Sequence, residues 1–514
     1  MKYCKKILAF VAGGLITASS VAQEKASITV RKVDDAPVIS KHIYGHFAEH
    51  LGRCIYGGFY VGETSNVPNT DGVRDDIIKA LKELKVPNLR WPGGCFADTY
   101  HWKDGIGPKE DRPTIVNTWW GGVTEDNSFG THDFLNLCEV LDAEPYLAAN
   151  VGSGTVREFA DWLQYVNHVG PSPMADLRKK YGRETPWGVK YWGVGNEAWG
   201  CGGNMTAEYY ANLYRKYATF MTSWGERHLF RIASGANVDN YHWTEVMMKN
   251  IPQNLIEGVA LHSYSFVEWD EKGSSVDFNK AQYFSTMQSA LRMEELVTKH
   301  SVIMDKYDPE GKIALVVDEW GGWYDTMDDG MNSALYQQNT MRDAMIAGTT
   351  LNTFNNHSSR VRIANLAQTV NVLQAVILTK EEKMILTPTY YVMKMYNVHQ
   401  DAKLLPIQLI SPDYDFNGES LPAVSVSASE KDEVTHISLV NIDASKKVEV
   451  TLNLDDLNVK GFTAEVLTSS KLQDCNSFEN PEKVAPKEFK DFKLKKGSLT
   501  VTLPPFSVVV LEGK

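Results

Sequence analysis

The feature that most restricts the fold is a repeated alternation of short apolar runs with amphipathic helical stretches between residues 43 and 370. The apolar runs are candidate strands, and most of them end in polar residues. They are IYGHF (43–47), PNLRWPG (87–93), PYLAANVG (145–152), YWGVGNE (191–197), RIASGAN (231–237), GVALHSY (258–264), IALVVDEW (313–320) and VRIANLAQ (361–368). Eight such alternations, with no G-x-G-x-x-G turn after the first strand, predict an α/β chain with a closed (β/α)8 TIM barrel rather than an open doubly wound sheet.

The pattern changes after residue 385. Segments such as AVSVSASE, HISLVNID and VEVTLNLDDL alternate apolar and polar residues at period two, which is typical of half-buried strands. We therefore expect a catalytic barrel over 43–385 and a jelly-roll-like β-sandwich domain over 386–514. The segment 23–42 contains SITVRKV, which we expect to add a strand to that sandwich.

The first residues resemble a secretory signal. Lys2, Lys5 and Lys6 precede an apolar run, and Ser20-Val21-Ala22 places small residues at a cleavage site near Ala22 or Gln23. We predict a signal peptide over 1–22 and export to the periplasm or outside the cell. The competing interpretation is a short membrane anchor, but the run is shorter than the ~20 residues of a spanning helix. After signal removal we expect no membrane span.

Composition and charge restrict the partners. The chain is 43% hydrophobic and 23% charged, as in soluble globular proteins, and its formal net charge is -12. The chain has no extended run of Lys or Arg, so nucleic acid is not expected as a partner.

The cysteines do not form a recognisable framework. Removal of the signal leaves Cys54, Cys95, Cys138, Cys201 and Cys475, an odd number without C-x-x-C spacing. This argues against a disulfide scaffold or a structural zinc site. One disulfide pair remains open, and the spacing does not identify it.

Two candidate strands end in carboxylates, where a (β/α)8 barrel carries its reactive groups. Glu197 closes one strand after Asn196, and Glu319 closes another after Asp318. An acid at the end of an apolar strand is costly unless it is paired or neutral. Two facing carboxylates can share glycoside cleavage, one protonating the leaving oxygen and the other attacking, with retention of configuration at a separation of about 5 Å. An ion pair closing the barrel rim is the alternative for each glutamate.

The motifs around these residues resemble one enzyme family. GNE at the fourth strand and DEW at the seventh are similar to retaining glycosidases on (β/α)8 barrels. GHFAEHLGRCIYGG, LRWPGG, YHWKDGIGP and AQTVNVLQA narrow the resemblance to family 51 of the glycoside hydrolases, the α-L-arabinofuranosidases. It extends from about residue 40 to 385 and continues more weakly through the sandwich.

By this resemblance Glu197 is the acid/base and Glu319 the nucleophile. Asn196 is expected to bind the sugar hydroxyl next to the reacting carbon, and Glu49 is expected to accept hydrogen bonds from sugar hydroxyls. The resemblance also implies a homo-oligomer, often a hexamer.

Further residues are expected around the sugar pocket. By the same resemblance Tyr264 hydrogen-bonds the nucleophile, His262 lines the catalytic centre and Gln368 contacts the sugar. Arg90 is expected to orient Glu319 or Glu49. Three of these residues also have a purely structural interpretation: His262 as a rim residue, Gln368 as a cap on the last strand and Arg90 as part of a rim ion pair.

Loop tryptophans are candidates for the pocket wall, because aromatic rings stack on the C–H faces of sugars. Trp320 and Trp323, just past the nucleophile, are the better candidates. Trp119 and Trp120 are equally consistent with packing of their own loop. Cys95 stands where many family members have a sugar-contacting asparagine, and a thiol is a poor donor, so no binding role is transferred to it.

The segment GHFAEH contains H-x-x-E-H, the pattern of an inverted zinc protease in His46, Glu49 and His50. Such a site needs the motif on a helix, together with a third ligand. The surrounding IYG and LGRCIYGGFY predict a strand that runs into a loop. We therefore expect no metal, and we expect hydrogen-bonding roles for both histidines.

The combined prediction is an exported, retaining, exo-acting α-L-arabinofuranosidase that acts on arabinose-containing side chains or oligosaccharides and needs no cofactor. A β-xylosidase or endo-glucanase with the same two glutamates is the first alternative, since loops set the sugar specificity. A non-catalytic carbohydrate-binding protein and a metalloprotease are the others.

Overall fold

A closed parallel barrel forms the first part of the molecule. The computed structural model describes residues 24–225, 227–328 and 334–514. The barrel strands pair in chain order, and the barrel closes where the eighth strand pairs with the first. They are β1 (Gly45–Phe47), β2 (Asn88–Trp91), β3 (Glu144–Ala149), β4 (Tyr191–Val194), β5 (Phe230–Asn237), β6 (Gly258–Ser265), β7 (Ala314–Gly322) and β8 (Val361–Ala367). Each matches a predicted apolar run, and the barrel prediction is confirmed.

Helices follow the strands along the chain. Their apolar faces cover the barrel, as in α3, where Phe159, Trp162, Leu163 and Val166 are buried. The helices are α1 (Asp75–Glu83), α2 (Thr131–Leu141), α3 (Val156–Asn167), α4 (Pro173–Lys180), α5 (Ala207–Thr219), α6 (Tyr241–Asn250), α7 (Lys280–Tyr307), α8 (Met341–Asn356) and α9 (Pro388–Met395). Single 3-10 turns are Lys41–Tyr44, Cys95–Thr99, Trp102–Gly105, Lys109–Asp111, Gln253–Leu255 and Tyr396–His399.

Two further sheets form the C-terminal sandwich, which confirms the second part of the fold prediction. One has the order Ile407–Ile410, Glu24–Val30, Val448–Asn453, Ser498–Leu503 and Phe492–Lys495. The other has the order Lys403–Leu404, Val424–Lys431, Val434–Asn441, Ser507–Gly513, Phe462–Leu467 and Lys487–Glu488. Four short hairpins lie outside these sheets: Asn69–Thr70 with Val73–Arg74, Ile115–Asn117 with Val123–Glu125, Ile377–Lys380 with Lys383–Leu386, and Asp413–Phe416 with Glu419–Pro422.

The N-terminal strand Glu24–Val30 lies within the first sandwich sheet. It runs parallel to Val448–Asn453 and antiparallel to Ile407–Ile410. At the other junction, α9 follows β8 and lies beyond residue 385. We propose that the barrel domain ends after α9 rather than at 385, because this helix is the crossover partner of the last barrel strand.

Helix α8 joins the two domains. It begins with a capping box in which the backbone N–H of Thr340 donates to Oδ2 of Asp343 (2.7 Å). Its residues from Met341 to Asn355 are all buried, because the helix contacts β7 and the sandwich strands 424–431 and 434–441. Asn355 connects the two sides: its Oδ1 accepts from Tyr44 (2.8 Å), and its Nδ2 donates to Ser427 (3.1 Å).

Asn355→Ala tests this buried connection. The substitution leaves the Tyr44 hydroxyl and the Ser427 oxygen without these partners in a dry interface, so we expect a loss of about 2 kcal/mol in the free energy of unfolding. Denaturant titration measures it. Asn212→Ala, at an exposed helical position of α5, is the matched control and should cost under about 0.5 kcal/mol. Equal effects of the two substitutions contradict the proposed role.

Candidate active site

The two predicted glutamates meet at the carboxyl end of the barrel. Glu319 lies within β7, whereas Glu197 lies three residues beyond the end of β4. A carboxylate oxygen of each and a ring nitrogen of His262 all lie within 4.8 Å of one another. Chain folding therefore brings together two acids that are 122 positions apart in the sequence (319 − 197).

Arg90 connects the two strand ends. From β2, its Nη1 donates to Oε1 of Glu319 (2.9 Å), and its Nη2 donates to Oδ1 of Asn196 (2.6 Å). The guanidinium is buried and lies over the ring of Phe47 at 4.4 Å. Of the two partners expected for Arg90, the structure selects Glu319. The cation stabilises the negative charge on this carboxylate.

His262, from β6, lies between three carboxylates. Its Nδ1 is 2.9 Å from Oε1 of Glu197 and 3.6 Å from Oε2 of Glu319, and its Nε2 is 3.0 Å from Oδ1 of Asp318. Burial alone would lower the pKa of His262, but Glu319 and Asp318 outweigh it and raise the pKa to about 10. The ring is therefore an imidazolium that donates from both nitrogens.

The same contacts also shift the pKa values of the carboxylic acids. Burial raises the pKa of Glu197, the His262 hydrogen bond opposes this, and the charge of Glu319 raises the pKa again, so the net direction is upward. For Asp318, burial would raise the pKa, but Arg90 and His262 reverse the direction and lower it. Tyr264 donates from its hydroxyl to Oε2 of Glu319 at 2.7 Å. Glu319 is thus surrounded by donors, while Glu197 favours its protonated form.

Glu49 lies at the opposite wall of the pocket. Its Oε1 accepts from the backbone N–H groups of Gly94 (2.9 Å) and Phe96 (3.0 Å) and from Nε1 of Trp120 (3.0 Å). Gln368 donates to its Oε2 at 3.1 Å. Burial, and then the charge of Glu319, raise the pKa of Glu49 to about 7. A polar wall fixed in this way offers oriented oxygens to hydroxyl groups.

These residues line a cavity of about 60 Å³. It is small, and a larger cleft of about 550 Å³ adjoins it and shares Glu197, Tyr264 and Trp323. The small cavity is lined by Glu49, Leu51, Gly94, Cys95, Trp120, Asn196, Glu197, Tyr264, Glu319, Trp323, Leu335, Gln368 and Leu373.

The predictions for the loop tryptophans have different outcomes. Trp323 and Trp120 line the cavity, and Trp119 is 42% exposed outside it. The prediction that Trp320 forms part of the pocket wall is wrong, because its side chain is fully buried and packs edge-on against Phe354 of α8. It follows Glu319 directly in β7, and neighbouring side chains of a strand point to opposite faces.

The H-x-x-E-H segment forms part of β1 and the loop after it. His50 accepts from the indole of Trp91 and stacks on Phe96, and Glu49 faces the cavity. Among the described residues, the groups close enough to share a metal ion are Cys95–Glu197–Cys201 and Glu197–His262–Glu319, and neither includes His46 or His50. His46 and His50 of the zinc-protease motif therefore belong to neither of these groups of possible metal ligands.

Sequence reasoning missed three features of the site. Cys95 forms a disulfide with Cys201, while Cys54, Cys138 and Cys475 are free thiols. Asp318 accepts from Tyr146 (2.7 Å) and His262. Asp318 and Glu319 are adjacent, yet both contact Arg90, because β7 has register shifts against both neighbouring strands at this point. The DEW motif was the available signal for Asp318.

A (β/α)8 barrel with two glutamates at the carboxyl ends of β4 and β7, around one small pocket, is the arrangement typical of a glycoside hydrolase. Two family models match the chain: the alpha-L-arabinofuranosidase 1 domain over residues 80–275 and the alpha-L-arabinofuranosidase C-terminal domain over residues 318–507. The chain belongs to family 51 of the glycoside hydrolases, the α-L-arabinofuranosidases.

Similar proteins agree with this assignment. An intracellular exo-alpha-L-arabinofuranosidase of Bacteroides ovatus is 53% identical over 99% of each chain. The crystal structure of the GH51 arabinofuranosidase from Xanthomonas axonopodis pv. citri, 45% identical, superposes with a TM-score of 0.94 over 95% of this chain and 100% of its own. The arabinose complex of the Thermotoga maritima alpha-L-arabinofuranosidase, 32% identical, gives a TM-score of 0.84 over 95% of this chain and 99% of its own.

The predicted export is overturned by these comparisons, because the Bacteroides ovatus relative, matched over its full length, is described as intracellular. The prediction depended on a local pattern of three lysines, a short apolar run and small residues. Residues 1–22, on which the signal peptide was placed, lie outside the described residues. Within the described part of the chain, no helix has both the length and the apolar character needed to cross a membrane.

His262→Gln tests the charged state of the imidazole. A pKa of about 10 in the folded protein, against about 6.5 unfolded, gives stability that is complete below pH 6.5 and is lost as pH rises through 10. Wild type should therefore exceed His262→Gln in free energy of unfolding by several kcal/mol more at pH 6 than at pH 10. Denaturant titrations at both pH values measure the difference.

His399→Gln is the matched control for this titration. Burial lowers the pKa of His399 to about 3, so its proton is bound mainly by the unfolded chain, and its contribution to stability should increase slightly from pH 6 to pH 10. A pH-independent difference for His262→Gln rules out the imidazolium.

Proposed function

We propose that the enzyme removes terminal non-reducing α-L-arabinofuranosyl groups from arabinan or arabinoxylan side chains, or from their oligosaccharides, by retaining double displacement. Glu319 is the nucleophile and Glu197 the acid/base. The observation that carries the proposal is the separation of at most 4.8 Å between carboxylate oxygens of the two glutamates. Retaining glycosidases have carboxyl groups about 5–5.5 Å apart, whereas inverting enzymes leave room for a water.

The surroundings support different roles for the two acids. Glu319 accepts from Arg90 and Tyr264, which orient its carboxylate for attack on the anomeric carbon. Glu197 has a raised pKa and, with 19% of its side chain exposed, lies beside the larger cleft. It can give its proton to the leaving oxygen and later take one from water.

The small cavity supports exo action. A cavity of about 60 Å³ lined by Glu49, Trp120 and Gln368 has space for one terminal group at most and not for a chain of several sugars. In this pocket Asn196 would bind the hydroxyl next to the reacting carbon, and Glu49 and Gln368 would bind the others. Tyr264 and His262 would act through the two catalytic glutamates.

The adjoining cleft is suited to the leaving group. It has a volume of about 550 Å³ and presents Trp199, Trp269 and Trp323 next to Glu197. Trp269 is 54% exposed, and its ring is 5.6 Å from that of Trp323 in an edge-to-face arrangement. Exposed rings at this position offer stacking surface to sugars beyond the scissile bond.

The homo-oligomeric state implied by the family resemblance stays a prediction.

Glu197→Ala and Glu319→Ala test the two roles. Each should lower kcat on an arabino-oligosaccharide by at least about 100-fold, because each removes a group from the reacting centre. On an aryl α-L-arabinofuranoside, whose leaving group departs without a proton, azide should then restore turnover, giving a glycosyl azide of retained configuration with Glu197→Ala and of inverted configuration with Glu319→Ala. NMR spectroscopy of the products determines their anomeric configuration.

Glu479→Ala, at an exposed position of the sandwich, is the control and should keep wild-type activity. The same azide product from both glutamate variants would falsify the assignment.

Trp269→Ala tests the leaving-group cleft. Loss of one stacking ring should lower kcat/KM on an arabino-oligosaccharide by roughly 2- to 10-fold. The methyl α-L-arabinofuranoside, whose leaving group does not reach the ring, should be hydrolysed as by wild type. Trp119→Ala, which removes an exposed tryptophan outside the cleft, should change neither rate. An equal loss on both substrates contradicts a role in leaving-group binding.

A further inference from the structure

A disulfide joins two loops of the active site. Cys95 opens the 3-10 turn Cys95–Thr99 after β2, and Cys201 lies four residues after Glu197 in the loop that follows β4. Cys95 lines the small cavity. Sγ of Cys201 is 3.6 Å from Oε2 of Glu197 and 3.7 Å from Nδ2 of Asn196. The cross-link therefore touches the two residues at the end of β4 that the proposed reaction uses.

The backbone at Glu197 needs support from its surroundings. Its φ is 39°, in the left-handed region that residues with a side chain rarely adopt. The carbonyl of Glu197 accepts from the N–H groups of Gly200 (2.7 Å) and Gly202 (3.1 Å), which close a tight turn. These bonds are internal to the loop and do not attach it to the rest of the barrel.

Two links attach this loop to the turn after β2. Asp98 accepts from the N–H of Asn196 at 2.9 Å, and its other oxygen accepts from Val151 and Gly152 after β3. The disulfide is the second link and starts from the same 3-10 turn. Asp98 fixes the chain just before Glu197, and Cys201 fixes it just after. The chain is thus held on both sides of Glu197. After Glu197, Ala198 N–H and Trp199 Nε1 donate to Ser234 Oγ (3.0 Å) and the Gly235 carbonyl (3.1 Å) of β5, and the disulfide adds a covalent link to the turn after β2.

We propose that the Cys95–Cys201 disulfide positions the carboxyl group of Glu197 for proton transfer to the leaving oxygen, so that the redox state of this pair sets activity on substrates with poor leaving groups. The inference depends on the acid/base role proposed for Glu197. Two thiol sulfurs lie farther apart than two bonded sulfurs, so reduction moves Cys201 away from Cys95. Glu197, in contact with Cys201, moves with its loop. A displacement of about 1 Å at a catalytic group can lower a rate by about 100-fold.

The redox chemistry is a two-electron exchange. A phosphine reductant attacks one sulfur and breaks the S–S bond, and the released thiolate takes a proton. Water then displaces the second sulfur as a thiol, and the phosphine becomes a phosphine oxide. Oxidised glutathione reverses the change: its disulfide accepts the two electrons, and two glutathione thiols leave as Cys95–Cys201 forms again. Both cysteines are half-buried, so reagents can reach them.

The experiment compares leaving groups. Full-length enzyme is assayed oxidised, reduced with tris(2-carboxyethyl)phosphine, and reoxidised with oxidised glutathione. Thiol titration after denaturation confirms two additional thiols on reduction. kcat/KM is measured on 2,4-dinitrophenyl α-L-arabinofuranoside, whose leaving group departs without a proton, and on the methyl glycoside, which needs one. Reduction should lower kcat/KM about 10-fold or more on the methyl glycoside and less than 2-fold on the dinitrophenyl glycoside, and reoxidation should restore it.

Matched variants distinguish an effect on the position of Glu197 from a general loss of protein stability. Cys201→Ser and Cys95→Ser should reproduce the selective loss and make the enzyme insensitive to phosphine. Cys475→Ser removes a half-buried free thiol of the sandwich and should behave as wild type. An equal loss on both substrates, or no loss on reduction of wild type, overturns the proposal. If oxidised wild type hydrolyses neither substrate, the proposed function itself fails, which is a separate outcome.

Discussion

The catalytic end of the barrel depends on the pairing of buried charges. Two cations, Arg90 and His262, lie among three carboxylates, those of Glu197, Asp318 and Glu319. Each isolated charge would cost several kcal/mol to bury, so the five groups are stable only as one network. Two positive charges neutralise two carboxylates, and the third acid then favours its proton. Asp318 and Glu319 each form ion pairs with both cations, whereas Glu197 pairs with His262, and Glu197 carries the raised pKa. The division of roles that we propose for Glu319 and Glu197 is consistent with this charge balance.

Much of this arrangement could be predicted from the sequence. The strands of a parallel barrel are buried on both faces, so they appear as apolar runs, and their polar carboxyl ends converge at one rim. Glu197, Glu319 and Arg90 were identified on that basis or by resemblance. The Cys95–Cys201 pairing was not predictable, because the two cysteines are 106 residues apart and meet only through the barrel. Asp318 was missed as a site residue because its contact with Arg90 depends on a register shift in β7. Trp320 was misplaced because proximity in sequence to Glu319 says nothing about which face of the strand it occupies.

Glu319 and Glu197 are supported in different ways. Glu319 belongs to a strand, and Arg90 and Tyr264, from β2 and β6, fix both of its oxygens. Glu197 lies beyond its strand, in a left-handed conformation. Strain of this kind persists only where neighbouring contacts over-determine the backbone. The proposed nucleophile is therefore part of the barrel sheet, whereas the geometry of the proposed acid/base depends on contacts of its loop.

This difference fits the roles that we propose for the two residues. As the proposed nucleophile, Glu319 would meet the same atom in every substrate, the anomeric carbon of one sugar in the small pocket. As the proposed acid/base, Glu197 would meet the oxygen of whatever leaving group occupies the cleft, which is lined by loop residues such as Trp199 and Trp269. A change in those loops can therefore alter which leaving groups are protonated well without disturbing Arg90 or Glu319. By this proposal, one part of the barrel rim selects the sugar that is removed. A separate part selects the group from which that sugar is removed.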